Sequence, residues 1–274
     1  MSIENFVICK KDGKLLYKDW GGYENRNPST IWCLYNADAI FKWPDFPRLQ
    51  IFTHDYQRTD ELTYSNTNND YSKMVPDFNF HCWKEVGLDD YKVSTMQMDK
   101  IGRNGFKINK VGWIGSLHTN ERRQKLFDIG QQNSSMFDII AVNWQKTPDK
   151  KVTANNYISM QDLVKNYSIL LDIEGFGYSG RLKYLFWSHR PVLLVDRPHK
   201  EFFYENLKPW EHYIPVNRDL NDLVEKTKWC LENYDKAQEI AERAFLFAQT
   251  YLTREAAYTH WNKVILNHVL TNKK

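Results

Sequence analysis

Short apolar runs at the start of the chain are broken by Lys-Asp-Gly and Gly-Gly, a rhythm that predicts a β-hairpin leading into the polar loop GGYENRNPST at 21–30. Residues 48–53 alternate and then reach His54-Asp55-Tyr56, which predicts a strand carrying a carboxylate at its C-terminal end. The Asn-rich stretch 65–73 reads as a surface loop, and the aromatic cluster VPDFNFHCW at 75–83 as extended chain.

From about residue 108 the rhythm changes. Buried strands are predicted at 110–115, 136–144, 168–173 and 191–195. Between them lie helices: ERRQKLFDIG capped by Thr119 or Asn120, SMQDLVKN opened by Ser159 and Asp162, and RLKYLFWSHR at 181–190. Apolar strands alternating with helices predict an α/β fold with a parallel sheet and right-handed crossovers, the nucleotide-binding architecture in its broad sense. Residues 221–231, 234–252 and 254–270 continue at helical spacing, so the C-terminus is predicted to be helical. The polar stretch MDKIGRNG places a division near residue 105, giving 1–105, 106–250 and a closing helix at 251–274.

Composition narrows the function. With 37 basic and 34 acidic residues in 274, the formal charge is +3, which argues against a nucleic-acid surface. Ten Trp, 16 Tyr and 15 Phe supply many flat rings able to stack on sugars or bases, although most such rings belong in a core. Cys9, Cys33, Cys82 and Cys230 are scattered without a metal-ligand or disulfide pattern, so a reduced, cytoplasmic chain is expected. The start lacks a signal-peptide pattern and no apolar run reaches membrane-spanning length, leaving peripheral docking as the only expected membrane contact.

Several clusters carry chemistry. In EGFGYSGRLKY, at 174–184, Gly175, Gly177 and Gly180 stand between a strand and a helix, where bare backbone can approach a phosphate. Arg181 and Lys183 put positive charge in the helix's first turn, against its dipole, a conflict that a diphosphate would relieve. A tight strand-to-helix turn with surface basics explains the same residues. Gly115-Ser116 with Glu121-Arg122-Arg123 reads as a second wall of the anion site or as an exposed helix face. Asp55 is placed to accept a proton, with Asp60, Asp77 and Glu85 as competitors; the aromatic segment 202–216 is a base pocket or the support beneath one.

The order and spacing of GFGYSGRLKYLFWSHRPVLLV (175–195) and EFFYENLKPWEHYIPVNRDL (201–220) resemble glycosyltransferase family 90. Gly115-Ser116 with Glu121-Arg122 is similar to that family's F-R-G-S-x-x-x-x-E-R segment, and His54-Asp55-Tyr56 to its R-D-Y. Ile114 and Glu174 stand where the family has basic residues.

The resemblance implies a two-lobed GT-B arrangement, two Rossmann-like lobes about a cleft, with the acceptor on 1–105, the donor on 106–250, and the last helix packed back on the first lobe. It implies inverting, metal-independent transfer of glucose or xylose from a UDP-sugar to a glycan or glycolipid acceptor such as lipooligosaccharide or capsule. No cofactor is implied, and no D-x-D ends a predicted strand. Asp55 would be the base, Ser116 and Arg122 would meet the diphosphate beside Gly115, and Phe176, Gly177, Tyr178, Ser179 and Arg181 would wrap the nucleotide. The competing readings are a non-catalytic nucleotide- or carbohydrate-binding module, an NAD-dependent oxidoreductase read from the G-x-G-x-x-G spacing, and, ranked last, a nucleic-acid binder.

Overall fold

The computed structural model describes residues 6–20, 25–55, 62–143, 145–146, 152–154 and 156–271. Tyr56, Asp60 and the tail 272–274 lie outside the described residues. The chain begins with strands β1 (Phe6–Lys11) and β2 (Lys14–Asp19), helix α1 (Arg26–Phe41) and strands β3 (Phe46–Phe52), β4 (Leu62–Thr63) and β5 (Ser65–Asn66). After α2 (Tyr91–Gly102) come β6 (Ile108–Gly115), α3 (Glu121–Gln132), β7 (Phe137–Ala141), β8 (Gln145–Lys146), β9 (Val152–Thr153) and α4 (Met160–Asn166). Strand β10 (Tyr167–Asp172), α5 (Leu182–Leu185), β11 (Val192–Val195), β12 (Lys200–Glu201) and β13 (Ile214–Val216) follow. The chain closes with α6 (Leu223–Glu232), α7 (Tyr234–Tyr251) and α8 (Arg254–Thr271).

The first sheet has the order β2-β1-β3-β4. Asp12 and Gly13, at φ 50° and 73°, form a tight turn whose N–H groups the Asp45 carboxylate accepts at 2.7 and 3.0 Å. Such a turn joins only antiparallel neighbours, so this sheet is mixed and departs from the wholly parallel pattern expected of a Rossmann-like lobe.

The second sheet is parallel throughout, in the order β13-β11-β10-β6-β7. Its strands read 5-4-3-1-2 in order of appearance, so the winding reverses between β6 and β10. In doubly wound sheets that reversal opens a crevice beyond the strands' C-terminal ends, which is where ligands bind. Every residue of β10 is buried, as its unbroken apolar pattern requires. Leu126 of α3, Leu223 and Cys230 of α6 and Ile240 of α7 cover one face of the sheet; the other joins a larger core shared with α2, α4, α1 and α8.

Three local expectations are corrected. GGYENRNPST does not stay a loop, because α1 starts at Arg26 and runs through it. Its polar first turn is held by tertiary bonds: Thr53 Oγ1 donates to Asn27 Oδ1 at 2.6 Å, and Thr30 and Tyr64 share a hydroxyl contact of 2.6 Å. The helix expected at 181–190 is a single turn, Leu182–Leu185, because the chain twists into a left-handed residue at His189 (φ 51°). His189 is held there by Asp99 at 2.8 Å and Glu242 at 2.9 Å. Likewise Phe78–Phe80 forms a 3-10 turn capped by Asp77 rather than extended chain.

Helix α8 lies on α1 and β3, with Trp43 Nε1 donating to Asn262 Oδ1 at 2.9 Å. Trp261 of this helix is fully buried in the shared core. Trp261→Ala is expected to lower unfolding free energy by about 3–5 kcal/mol in denaturant titration; a loss under about 1 kcal/mol would mean that α8 contributes little to the fold.

Candidate functional site

A cavity of about 300 Å³ opens at the reversal point of the parallel sheet. Gly115 and Ser116, at the end of β6, and Gly175 to Arg181, in the loop after β10, form one side. Arg26, Asp55, Phe78, Asn79, Trp83 and Val86 from the first third of the chain form the other. Of the residues singled out in the sequence, Asp55, Gly115, Ser116, Gly175, Phe176, Tyr178, Ser179 and Arg181 therefore meet in one place. Phe176 stands 68% exposed at its wall, and Gly177 is buried in the bend behind it.

Two glycines are required by close approach. A Cβ on Gly180 would lie 2.5 Å from Asn79 Nδ2, and one on Gly115 would lie 2.7 Å from the Trp113 ring. The dipole argument for this loop is corrected, since α5 is only one turn long and has little macrodipole to offer. Positive charge comes instead from guanidinium groups.

Arg181 lines the cavity, its Nε and Nη1 buried and without hydrogen-bond partners among the described residues. Arg123 also lines it, donating to the main-chain oxygens of Glu174 (2.9 Å), Ser116 (3.1 Å) and Ile173 (3.3 Å). Both guanidinium groups approach the buried Trp113 ring, at 5.4 and 5.7 Å from its centroid. Burial, and then the neighbouring Arg181, pull Arg123 down to about 9, and burial pulls Arg181 down as well. Guanidinium groups still remain protonated at neutral pH, so these shifts register chiefly the burial of the two groups, which Asp172 only partly offsets.

The second wall is corrected by one helical position. Arg122 turns away and pairs with Glu174, Nη1 to Oε1 at 3.2 Å, whereas Arg123 reaches the cavity. Asn120 is the cap; its oxygen accepts the Arg122 N–H at 3.0 Å and its amide donates to Gly175 O at 3.0 Å, which ties α3 to the glycine loop. The E-R-R run was visible in the sequence, but only the cap's position decides which arginine faces the strand ends. Glu174, in the place of a basic residue, is buried and also meets Arg218 at 3.5 Å. Ile114 packs into the larger core.

Lys183 does not reach the cavity. Its ammonium is fully buried, 3.0 Å from Asp77 Oδ2 and 2.7 Å from Glu201 Oε1. Burial opposes its charge, but the two carboxylates together outweigh burial and raise its pKa. Burial likewise raises Glu201, to about 8 despite Lys183. Asp77 is thus consumed as a structural partner, and Glu85 accepts from Asn25 at 2.6 Å outside the cavity. Among the described acids, Asp55 is the carboxylate that lines the site. Its Oδ1 lies 2.8 Å from Arg26 Nη2.

The aromatic segment 202–216 divides. Phe202 and Phe203 are core, while Tyr204 and Tyr213 line a second cavity of about 250 Å³ with Arg197 and Arg218, at the ends of β11 and β13. Asp172, at the end of β10, fixes this region by pairing with Arg197 at 2.8 Å and accepting from Ser179 Oγ at 2.7 Å. Among the described residues no group of three or more His, Cys, Asp or Glu side chains is gathered as metal ligands would be. Nor is any described helix long and apolar enough to cross a membrane.

A wound α/β sheet with a guanidinium-lined cavity at its reversal point places the candidate site where doubly wound folds bind their ligands. Residues 34–269 match the model of glycosyl transferase family 90, and the chain belongs to that family. It is similar to human protein O-glucosyltransferase 3, 30% identical over 162 residues, covering 58% of this chain and 32% of that protein. Human protein O-glucosyltransferase 1 is 31% identical over 163 residues, 58% of this chain and 41% of that one. An uncharacterized protein, 035R of Invertebrate iridescent virus 3, is 29% identical over 177 residues, 59% of this chain and 16% of that one. The chain therefore spans well under half the length of these relatives. Among solved structures TarM is similar at TM-score 0.46 and 16% identity, covering 59% of this chain and 36% of that one.

The buried triad carries a pH signature. Because Glu201's folded pKa lies above the usual 4.5, the stabilisation from its proton is complete below that value and lost as pH rises through about 8. The unfolding midpoint in urea is expected to fall between about pH 4.5 and about pH 8, and Glu201→Gln should remove most of that slope. An equal slope in both proteins would place the titration elsewhere.

Proposed function

We propose that this chain is an inverting glycosyltransferase that moves a sugar from a UDP-sugar to a hydroxyl group of a glycan or protein acceptor. The observation that carries the reading is Arg181, which lines the cavity beside Arg123 and whose buried Nε and Nη1 have no hydrogen-bond partner among the described residues. Desolvated guanidinium groups without anions are costly, and a diphosphate supplies oxygens of matching geometry. The names of the relatives favour glucose as the sugar and extend the acceptor class to proteins; xylose and a lipooligosaccharide or capsule acceptor remain further arms of a substrate screen.

In this mechanism the acceptor lies against Arg26, Trp83 and Val86, and the donor diphosphate against Arg181, Arg123 and Ser116. Asp55 takes the proton of the acceptor hydroxyl as its oxygen attacks the anomeric carbon. The new bond forms on the face opposite the leaving group, the bond from that carbon to the phosphate oxygen breaks, and the electron pair stays on the nucleoside diphosphate. Arg181 and Arg123 stabilise that developing charge, so the reading assigns to arginine the role that a metal ion fills elsewhere. Nucleoside contacts fall to the Tyr204 and Tyr213 cavity.

Calorimetry with UDP and transfer assays with labelled UDP-sugars test this. Arg181→Ala is expected to weaken UDP binding roughly 10- to 100-fold. Asp55→Asn should bind UDP within about twofold of the parent and lose transfer by a factor on the order of 100 or more. Undiminished transfer by the Asp55 variant would remove it from the base role, and absence of binding to any nucleotide would overturn the whole reading.

A further inference from the structure

Arg26 belongs to no motif singled out in the sequence and precedes the segment, 34–269, that matches the family. Yet it lines the cavity. The first turn of α1 delivers its guanidinium, where Nη2 lies 2.8 Å from Asp55 Oδ1 and Nη1 donates to Thr53 O at 3.2 Å. Its plane sits over the Phe78 ring, 5.3 Å from the centroid. The side chain is only 13% exposed, against 26% for Asp55. One guanidinium thus grips both the carboxylate and the backbone at the end of β3, braced by an aromatic ring. A fork anchored at two points and stacked on a ring has little rotational freedom left.

The α1 cap region is anchored to the same strand end independently of Arg26. Asn27 receives the Thr53 hydroxyl at 2.6 Å, and Thr30 meets Tyr64 beyond the Asp55 segment. Ser65 Oγ lies 3.5 Å from Asp55 O on the other side of that segment. The residue before Asp55 is His54, whose ring packs toward Phe52 at 4.8 Å, so the neighbouring side chain supplies no guanidinium. The strong cation beside the base comes from a separate helix.

We propose that Arg26 is a positioning residue for the transfer reaction: it fixes Asp55 by one oxygen so that the other meets the acceptor hydroxyl on the acceptor wall of the cavity. This rests on the glycosyltransferase reading. It assigns a role in the chemistry to a segment outside the family match, and it separates Arg26, which acts on the base, from Arg123 and Arg181, which face the donor.

The test uses the full chain with the donor and acceptor that the unmodified protein turns over; if no pair is turned over, the parent reading fails rather than this one. Arg26→Ala is expected to lower kcat on the order of 100-fold, with UDP affinity and donor KM within about twofold of the parent. Added guanidinium ion, at concentrations well below those that unfold the protein, should restore part of the lost kcat, and Arg26→Lys should be intermediate. A merely structural role would give no guanidinium rescue, and that result overturns the proposal. So does unchanged kcat, or a loss confined to UDP binding, which would make Arg26 a donor ligand. Should the alanine variant fail to fold, Arg26→Lys alone decides: kcat reduced with UDP binding intact supports the role, and parental kcat overturns it.

Discussion

One buried ammonium organises this molecule. Lys183 sits between Asp77, from the first third of the chain, and Glu201, from β12, and all three side chains are buried. Removing one partner of such a group leaves an uncompensated charge in a low-dielectric interior, at a cost of about 3–5 kcal/mol. The geometry is therefore held tightly. Asp77 also holds Asn79, whose amide donates to it at 2.7 Å, and Glu201 pairs across β12 with Ser65 of β5. Asn79 lines the cavity, and Ser65 touches the Asp55 segment. The wall of the site that carries Asn79 and Asp55 is thus tied to a contact that never enters it.

The cavity is arranged on the opposite electrostatic principle. Where Lys183 has two carboxylate partners, Arg181 and Arg123 are desolvated beside Trp113 and face each other's charge. The buried Asp172 is engaged by Arg197 and Ser179. These two guanidinium groups, set at the reversal point of a wound sheet, are the observation on which the proposed donor contact rests. Asp55 differs again, since its carboxylate is half enclosed and gripped by Arg26 rather than buried.

Much of the parallel-sheet half was legible because it is local. Unbroken apolar runs such as 168–173 and 191–195 are what a strand buried on both faces requires, and the glycine loop follows one of them directly. Asn120, Ser159 and the C-terminal helices obeyed capping and periodicity rules that act within a few residues. The first third of the chain was less legible. Asn27, Ser29 and Thr30 read as a loop because their polarity is satisfied by Asp19, Thr53, Tyr64 and Cys82, which are distant in sequence. Lys183 looked like a phosphate ligand because nothing near it in sequence reveals two carboxylates waiting in the core.

By itself the sequence determined the parallel sheet, the glycine turn, the family and Asp55 as a candidate base, since each depends on spacing along the chain. Tertiary structure alone decided which of Arg122 and Arg123 enters the cavity, that Lys183 is buried, and that Arg26 holds Asp55. The physical reason is common to all three. The fate of a charged side chain is set by what desolvates it and what pairs with it, and in a wound α/β chain those partners come from strands and helices far apart in sequence.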